Sequence, residues 1–160
     1  MATTFLSICD NPSRYERQIE NQNFIKEDVL ERYLDSCFFD ETNFSDCSFN
    51  DCEFIGLDFG FCSFTNCSFN NVIIRKSAFS NCILKNCQFI NCVITPRVQF
   101  FSTVFSNSQF TNHDFSKTFL CNCEFIETNF TQVDFKESTI KNPKIEDTTF
   151  NGLKFKYSQD

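Results

Sequence analysis

The residues of this chain that could bind a metal or act as a nucleophile are eleven cysteines and a single histidine. Nine of the cysteines stand two places before a large apolar residue: Cys37, Cys47, Cys52, Cys62, Cys67, Cys82, Cys87, Cys92 and Cys123. They form no CxxC pair, so they are poor zinc ligands. The regular position two places before a large apolar residue is better explained by cysteine used as a small buried side chain than by metal binding. Reduced thiols are typical of a cytoplasmic protein.

Cys9 and Cys121 lie outside that register. In the stretch CNC at 121–123, we expect Cys121 to point outward and Cys123 inward, so the pair does not converge on one metal. Disulfides between cysteines stacked on one another are an alternative that the spacing leaves open. We predict no metal and no cofactor.

The single histidine, His113, also stands two places before a large apolar residue. We expect an inward-facing imidazole that is hydrogen-bonded to the backbone, because a catalytic base needs partner groups that the sequence does not supply. The sequence contains no glycine-rich phosphate loop, no GxSxG and no HExxH. We therefore predict that the protein is not an enzyme and has no catalytic residue.

The element that positions these residues is a repeat of five. Every fifth residue from Ile19 to Ile94 is large and apolar, and we call these positions centres. One extra residue enters within 95–99, and the centres resume from Phe100 to Phe155, which makes 16 plus 12, or 28, repeats. The position two before each centre is mostly small or β-branched, and the other three are mostly polar. A fixed internal period predicts a solenoid.

A step of five fits neither a flat strand, where successive centres would alternate faces, nor an α-helix with 3.6 residues per turn. The chain must therefore turn a corner in each repeat, and four repeats close one coil. Centres and the positions two before them point inward, and coils stack about 4.8 Å apart. Two columns follow, an inner one of Phe49, Phe69, Phe89, Phe110, Phe130 and Phe150 and an outer one of Asn66, Asn86 and Asn107.

The repeats CSFND, CEFIG, CSFTN, CQFIN and CEFIE resemble those of the pentapeptide repeat family, whose consensus is A(D/N)LXX, with cysteine in place of alanine. The resemblance covers roughly residues 19–157. It implies an all-β fold, a right-handed quadrilateral β-helix of about seven coils. We interpret residues 1–18 as an N-terminal cap and residues 19–160 as the repeat domain, with a one-residue irregularity near 95–99. Phe150 and Phe155 would lie at the C-terminal end of the tube. That end is either covered by Tyr157 or forms the interface with a second copy in a homodimer.

The net charge of −7 and the pI of about 4.7 disfavour direct binding to nucleic acid or to an anionic membrane and favour a basic partner. The N-terminus has no secretory signal and no apolar run is long enough to span a membrane, so we expect a cytoplasmic protein. Residues 33–74 contain no lysine or arginine. Their acids form the candidate acidic partner-binding face: Asp35, Asp40, Glu41, Asp46, Asp51, Glu53 and Asp58.

The resemblance implies a protein partner. Family members of the Qnr and MfpA type bind type II topoisomerases (DNA gyrase, topoisomerase IV), resemble B-form DNA in size and charge, and give resistance to quinolones or related poisons. For this chain, the resemblance implies the function of a DNA-mimicking interactor of type II topoisomerase.

The alternative is a scaffold or adaptor that binds through outward apolar residues, and a third is a purely structural repeat protein. The apolar residues off the inward positions are Phe38, Phe61, Phe101, Phe119, Ile55, Ile73 and Ile126. If several of them cluster on one side, the adaptor is favoured over the DNA mimic.

Overall fold

The computed structural model describes residues 4–10 and 17–154. In these residues a short helix, α1 (Phe5–Cys9), precedes 25 strands of two to four residues, β1 to β25. The helix is far too short to cross a membrane, and the described residues contain no helix that is long and apolar enough to do so.

The strands form four parallel sheets, each of which makes one side of a tube. Side A contains β1 (Arg17–Glu20), β5 (Cys37–Asp40), β9 (Asp58–Gly60), β13 (Ala78–Ser80), β17 (Gln99–Phe101), β20 (Phe119–Cys121) and β23 (Thr139–Lys141). Side B contains β2 (Asn23–Ile25), β6 (Asn43–Ser45), β10 (Ser63–Thr65), β14 (Ile83–Lys85), β18 (Val104–Ser106), β21 (Glu124–Ile126) and β24 (Lys144–Glu146). Side C contains β3 (Asp28–Leu30), β7 (Ser48–Asn50), β11 (Ser68–Asn70), β15 (Gln88–Ile90), β19 (Gln109–Thr111), β22 (Asn129–Thr131) and β25 (Thr149–Asn151). Side D contains β4 (Tyr33–Asp35), β8 (Glu53–Ile55), β12 (Ile73–Arg75) and β16 (Val93–Ile94), and single bridges at Asp114, Asp134 and Lys154 continue it.

Three of the four sheets have seven strands, so the predicted all-β, four-sided solenoid of seven coils is confirmed. Strand partners such as Phe49 and Phe69 lie four repeats apart in the sequence, which is one coil. Between Phe79 and Phe100 the offset is longer by one position, because the corner at 95–97 contains one more residue than the other corners.

The tube is filled by the centres, which are buried from Ile19 to Phe135. Parallel, in-register strands place identical side chains directly above one another, so the phenylalanines stack as ladders. The predicted column from Phe49 to Phe150 is confirmed, with ring centroids 4.6–5.1 Å apart and planes within 14° of parallel. Offset-parallel rings at this distance are a favourable aromatic geometry.

The corners explain the abundance of asparagine. The residue two places after almost every centre has a positive φ, as in Asn66 (φ 54°) and Asn86 (φ 55°). Asparagine and glycine tolerate this left-handed conformation better than other residues. The predicted outer column is also confirmed, since Asn86 Nδ2 donates to Asn66 Oδ1 at 3.0 Å and Asn107 Nδ2 donates to Asn86 Oδ1 at 2.8 Å.

The N-terminal end of the tube is covered by α1, whose Phe5 is 1% exposed. The inward positions of the first coil differ from those of the later coils, because they carry Arg17, Gln22, Glu27 and Arg32. Three of these side chains hold the helix. Phe5 N donates to Glu27 Oε1 at 3.2 Å, the Arg17 guanidinium donates to the carbonyl of Ile8, and Arg32 Nε lies 3.5 Å from Asp10 Oδ1. Residues 1–3 and 11–16 of the predicted cap lie outside the described residues, so the cap at 1–18 stays a prediction.

The last described coil is more open than the others. Its centres Ile140, Ile145 and Phe150 are 38%, 51% and 41% exposed. The final predicted centre, Phe155, and the predicted closing residue, Tyr157, lie outside the described residues.

Candidate protein-binding surface

The seven candidate acids do not lie on one face, and this corrects the expectation of a single acidic side. Asp40, Glu41 and Asp58 lie on side A or at its edge, Asp35 and Glu53 lie on side D, and Asp46 and Asp51 lie at the corners before and after side C. The reason is the coil itself, because the window 33–74 passes about twice around a tube that has four repeats per coil. The acids therefore form a belt around the N-terminal coils.

Four acids of the belt are engaged by neighbouring side chains. Asn66 Nδ2 donates to Asp46 Oδ1 at 2.9 Å, and Asn71 Nδ2 donates to Asp51 Oδ1 at 3.0 Å. Glu53 is 3.4 Å from Arg75, and Asp35 accepts hydrogen bonds from Tyr33 and Ser36.

The other three acids, Asp40, Glu41 and Asp58, make no side-chain hydrogen bond or ion pair to any described residue. Partial burial raises the pKa of Asp58. Side A therefore presents three carboxylates whose hydrogen-bonding capacity is free for a partner.

All four outward phenylalanines of residues 4–10 and 17–154 lie on that same side. Phe38, Phe101 and Phe119 are outward residues of β5, β17 and β20, and Phe61 occupies the corner directly after β9. The three isoleucines of the predicted apolar set lie elsewhere, with Ile55 and Ile73 on side D and Ile126 on side B. The phenylalanines thus cluster and the isoleucines do not.

The exposed rings on side A have defined neighbours. Phe101 and Phe119 are paired, with ring centroids 5.4 Å apart, and Lys141 Nζ lies 5.7 Å from the centroid of Phe119. Phe61 is 63% exposed and has a φ of 52°, a conformation that is unfavourable for a bulky side chain. The small residues Gly60, Ala78 and Ser80 separate the two aromatic groups.

Charge is unevenly distributed along the tube. Residues 17–74 contain eleven acids and three bases, a net charge of −8. Residues 75–154 contain nine bases and seven acids, a net charge of +2. The N-terminal coils are therefore the strongly acidic part of the rod.

The cysteines are structural. All eleven are free thiols, and the nine in register are buried, as predicted. The Sγ atoms of eight of these nine point toward carbonyls of the preceding coil, as Cys62 does toward Phe39 O at 3.5 Å, whereas Cys37 Sγ lies 3.5 Å from Asp35 O. Burial raises the pKa values of Cys92 and Cys123 to about 11. Among residues 4–10 and 17–154, histidine, cysteine and acidic side chains form no group of three that could hold a metal.

His113 is inward and only 2% exposed, as predicted, but the predicted hydrogen bond to the backbone is wrong. Neither ring nitrogen has a hydrogen-bond partner among the described residues. The imidazole packs instead against the rings of Phe89, Phe110 and Phe115. Burial lowers its pKa to about 3, so the ring is neutral at ordinary pH.

The four-sided tube, the five-residue step and the left-handed corners define a parallel β-solenoid repeat protein. A family model described as pentapeptide repeats matches eight copies at residues 62–95 and 103–142. The chain belongs to the pentapeptide repeat family. No curated protein sequence matches it significantly.

Solved structures of repeat proteins are similar to this chain at low identity. A trypsin-treated form of QnrB1, a plasmid-mediated fluoroquinolone resistance protein, is 13% identical over 89% of this chain and 92% of its own, with a TM-score of 0.43. Rfr23, a pentapeptide repeat protein from the cyanobacterium Cyanothece 51142, is 10% identical over 84% of this chain and 92% of its own, with a TM-score of 0.36. HetL of the cyanobacterium Nostoc sp. strain PCC 7120, involved in heterocyst differentiation regulation, is 8% identical over 86% of this chain and 91% of its own, with a TM-score of 0.19. At TM-scores below 0.5, neither fold nor function is inferred from them.

Proposed function

We propose that this chain is a non-enzymatic protein-binding module that docks a partner on side A. The observation that supports the proposal is the clustering of all four outward phenylalanines on one side of the tube, beside three carboxylates without partners among the described residues. Aromatic residues that are surrounded by polar groups are the usual anchors of protein interfaces. The ladder-packed tube holds them in place before binding, so little conformational entropy is lost on association.

Site-specific photo-crosslinking tests this proposal. A p-benzoylphenylalanine is placed at Phe61 or Phe101 on side A, or at Ile90, which is 39% exposed on side C. In host cells, the two side A positions should crosslink to the same discrete protein, and Ile90 should not. Equal labelling from Ile90, or no discrete product from side A, contradicts docking on this side.

A second candidate function is supported by the charge distribution. The net charge of −8 on residues 17–74 lies on a narrow rigid rod, and such a surface can occupy a groove that normally holds DNA. The proposal in its specific form is a DNA-mimicking interactor of a type II topoisomerase, DNA gyrase or topoisomerase IV, that protects the enzyme from quinolones.

A supercoiling assay of DNA gyrase with increasing protein, with and without a quinolone, tests this candidate. Mimicry predicts inhibition or protection that weakens steeply as salt rises, because the attraction is between exposed charges. The triple variant Asp40→Asn, Glu41→Gln, Asp58→Asn should reduce the effect. If micromolar protein neither inhibits nor protects the enzyme, the candidate is excluded.

We also propose that the C-terminal coil contacts a second copy of the chain. Ile140, Ile145 and Phe150 border an apolar cavity of about 190 Å³, and burying such a surface favours association. Sedimentation velocity should show a dimer that Ile145→Asp converts to a monomer. An unchanged monomer–dimer equilibrium in this variant excludes the contact.

A further inference from the structure

We infer that side A binds a cationic amphipathic α-helix of its partner, which lies across the tube in the depression between the two pairs of phenylalanines. This inference rests on the proposed function, because it specifies the kind of element that docks on side A. Three features of the described residues support it: a low floor, two aromatic walls at a suitable distance, and acids along one wall.

The floor of the depression consists of the smallest outward residues of side A. Gly60 and Ser80 are partners in neighbouring strands, and Ala78 lies on the same strand as Ser80. A Cβ at position 60 would lie 2.8 Å from Asp40 Oδ1, so only glycine fits there without moving the carboxylate. The Asp40 carboxylate therefore lies over Gly60, and Ala78 and Ser80 on β13 are the lowest part of the floor, where a helix can approach the sheet most closely.

The walls are formed by the four phenylalanines. Phe38 on β5 and Phe61 after β9 stand on the N-terminal side, whereas Phe101 on β17 and Phe119 on β20 stand on the C-terminal side. Phe38 and Phe101 are three coils apart, or about 14 Å at the usual spacing between strands. Between Phe61 and Phe101 the gap narrows to two coils, or about 10 Å. An α-helix with its side chains has a diameter of about 10–12 Å, so it fits between Phe38 and Phe101 and packs directly against Phe61.

Strand pairing argues for a helix over an extended peptide. β9, β13 and β17 are each hydrogen-bonded to a strand on both sides, so side A offers no free edge between the walls to which a strand could be added. A ligand in the depression can be held only through side chains, and an amphipathic helix presents a continuous apolar stripe for that purpose.

The charges on side A determine the sign of the charge that the bound helix must carry. Asp40, Glu41 and Asp58 line the N-terminal wall, and none of them has a side-chain partner among the described residues. Lysines or arginines beside the apolar stripe of the helix would pair with them. An acidic helix would be repelled.

Defined peptides provide the probes. The first has about 18 residues, with leucine and lysine placed at the helical period, and spans about 27 Å as a helix. The second has the same composition but alternates leucine and lysine in the strand period, and the third has glutamate in place of lysine. Binding is measured by fluorescence anisotropy, and crosslinking from p-benzoylphenylalanine at position 61 or 101 locates the bound peptide.

We expect the first peptide to bind and to crosslink, and the other two to bind at least about tenfold more weakly. Ala78→Phe, which fills the depression, and Phe101→Ser, which removes a wall, should each weaken binding about tenfold or more. Ile90→Ser on side C is the matched control and should leave binding unchanged. Circular dichroism and urea unfolding show that each variant is folded.

Equal binding of the two leucine–lysine peptides, or binding that survives both Ala78→Phe and Phe101→Ser, overturns the inference. Failure of every peptide also overturns it. If side A still crosslinks to a discrete protein in cells, the proposed function stands without the helix. If that crosslinking is absent too, both fail together.

Discussion

The imidazole of His113 lies with its centroid 4.3 Å from the ring of Phe115, in the interior of the tube. Neither of its nitrogens has a hydrogen-bond partner in the part of the chain that the structure describes, and burial lowers its pKa to about 3. His113 occupies the inward position two places before a centre, and the coils before and after it carry the smaller residues Cys92 and Val133 at this position. Because the buried imidazole is neutral, the free energy of unfolding should depend on pH.

His113 should make the protein sensitive to mild acid. Its folded-state pKa lies below the unfolded value of about 6.5, so its favourable contribution is complete above pH 6.5 and is lost as the pH falls from 6.5 toward 3. The free energy of unfolding should drop by about 2 kcal/mol between pH 6.5 and pH 5. Urea unfolding of His113→Val should lack most of this drop, and Cys92→Val in the same column should retain it. An identical pH slope in wild type and His113→Val refutes the assignment.

The corner residue Phe61 should be replaceable with a gain in stability. At a φ of 52°, asparagine avoids strain that phenylalanine bears, so Phe61→Asn should raise the free energy of unfolding by about 1 kcal/mol. The reverse change one coil further on, Asn81→Phe, should lower it by a similar amount. Thermal or urea unfolding measures both. If Phe61→Asn destabilises the fold, the exposed ring has a packing role and strain is not its main effect.

Thiol reactivity should report the register of the cysteines. Nine cysteines are buried, and Cys9 and Cys121 are half-buried. Burial raises the pKa of Cys9 to about 12, so its reactive thiolate form is rare at pH 8. Cys121 lies on the outer surface of side A. At pH 8 the native protein should react rapidly with a disulfide reagent at Cys121 alone. The unfolded chain should expose all eleven thiols. Cys121→Ser should abolish the fast phase, and fast labelling of three or more native thiols is incompatible with the described core.

Phe5 should contribute strongly to stability. Its ring lies 5.4–6.2 Å from the rings of Phe24, Phe39, Phe44, Phe49 and Phe54. Phe5→Ala should cost about 3–5 kcal/mol in urea unfolding, because it leaves a cavity among these rings. Leu6→Ala, at a partly buried neighbour, is the control and should cost less. A larger loss for Leu6→Ala indicates that the helix does not insert its phenylalanine in solution.

The tube and its columns could be predicted because the repeat is a strong constraint. A residue type that returns every fifth place can reach one interior only if each repeat turns a corner, and Phe49 and Phe69 then must stack. The acidic belt was harder to foresee, because a run of acids in sequence is not a patch in a coiled chain. Asp40 and Asp46 are close in sequence, yet Asp40 lies on side A and Asp46 at the corner between sides B and C.

The clustering of phenylalanines on side A was within reach of the sequence. With four repeats per coil and one position subtracted after the insertion, positions 38, 61, 101 and 119 all fall near the same phase of the coil. The contacts of the N-terminal helix could also have been predicted, since Glu27 and Arg32 occupy inward positions where later coils carry small residues. The absence of a hydrogen bond to the His113 imidazole among the described residues could not be predicted, because it depends on how three rings pack around the imidazole.

The corner at 95–97 accepts one additional residue while Ile74 still pairs with Ile94 on one wall and Phe79 with Phe100 on the next. A change in the length of this corner therefore leaves the strand pairing on the adjoining sides of the tube unchanged. A short foreign loop inserted at the corner should project into solvent without shifting any strand. The protein could thus display a foreign peptide on a rigid support while its core stays intact.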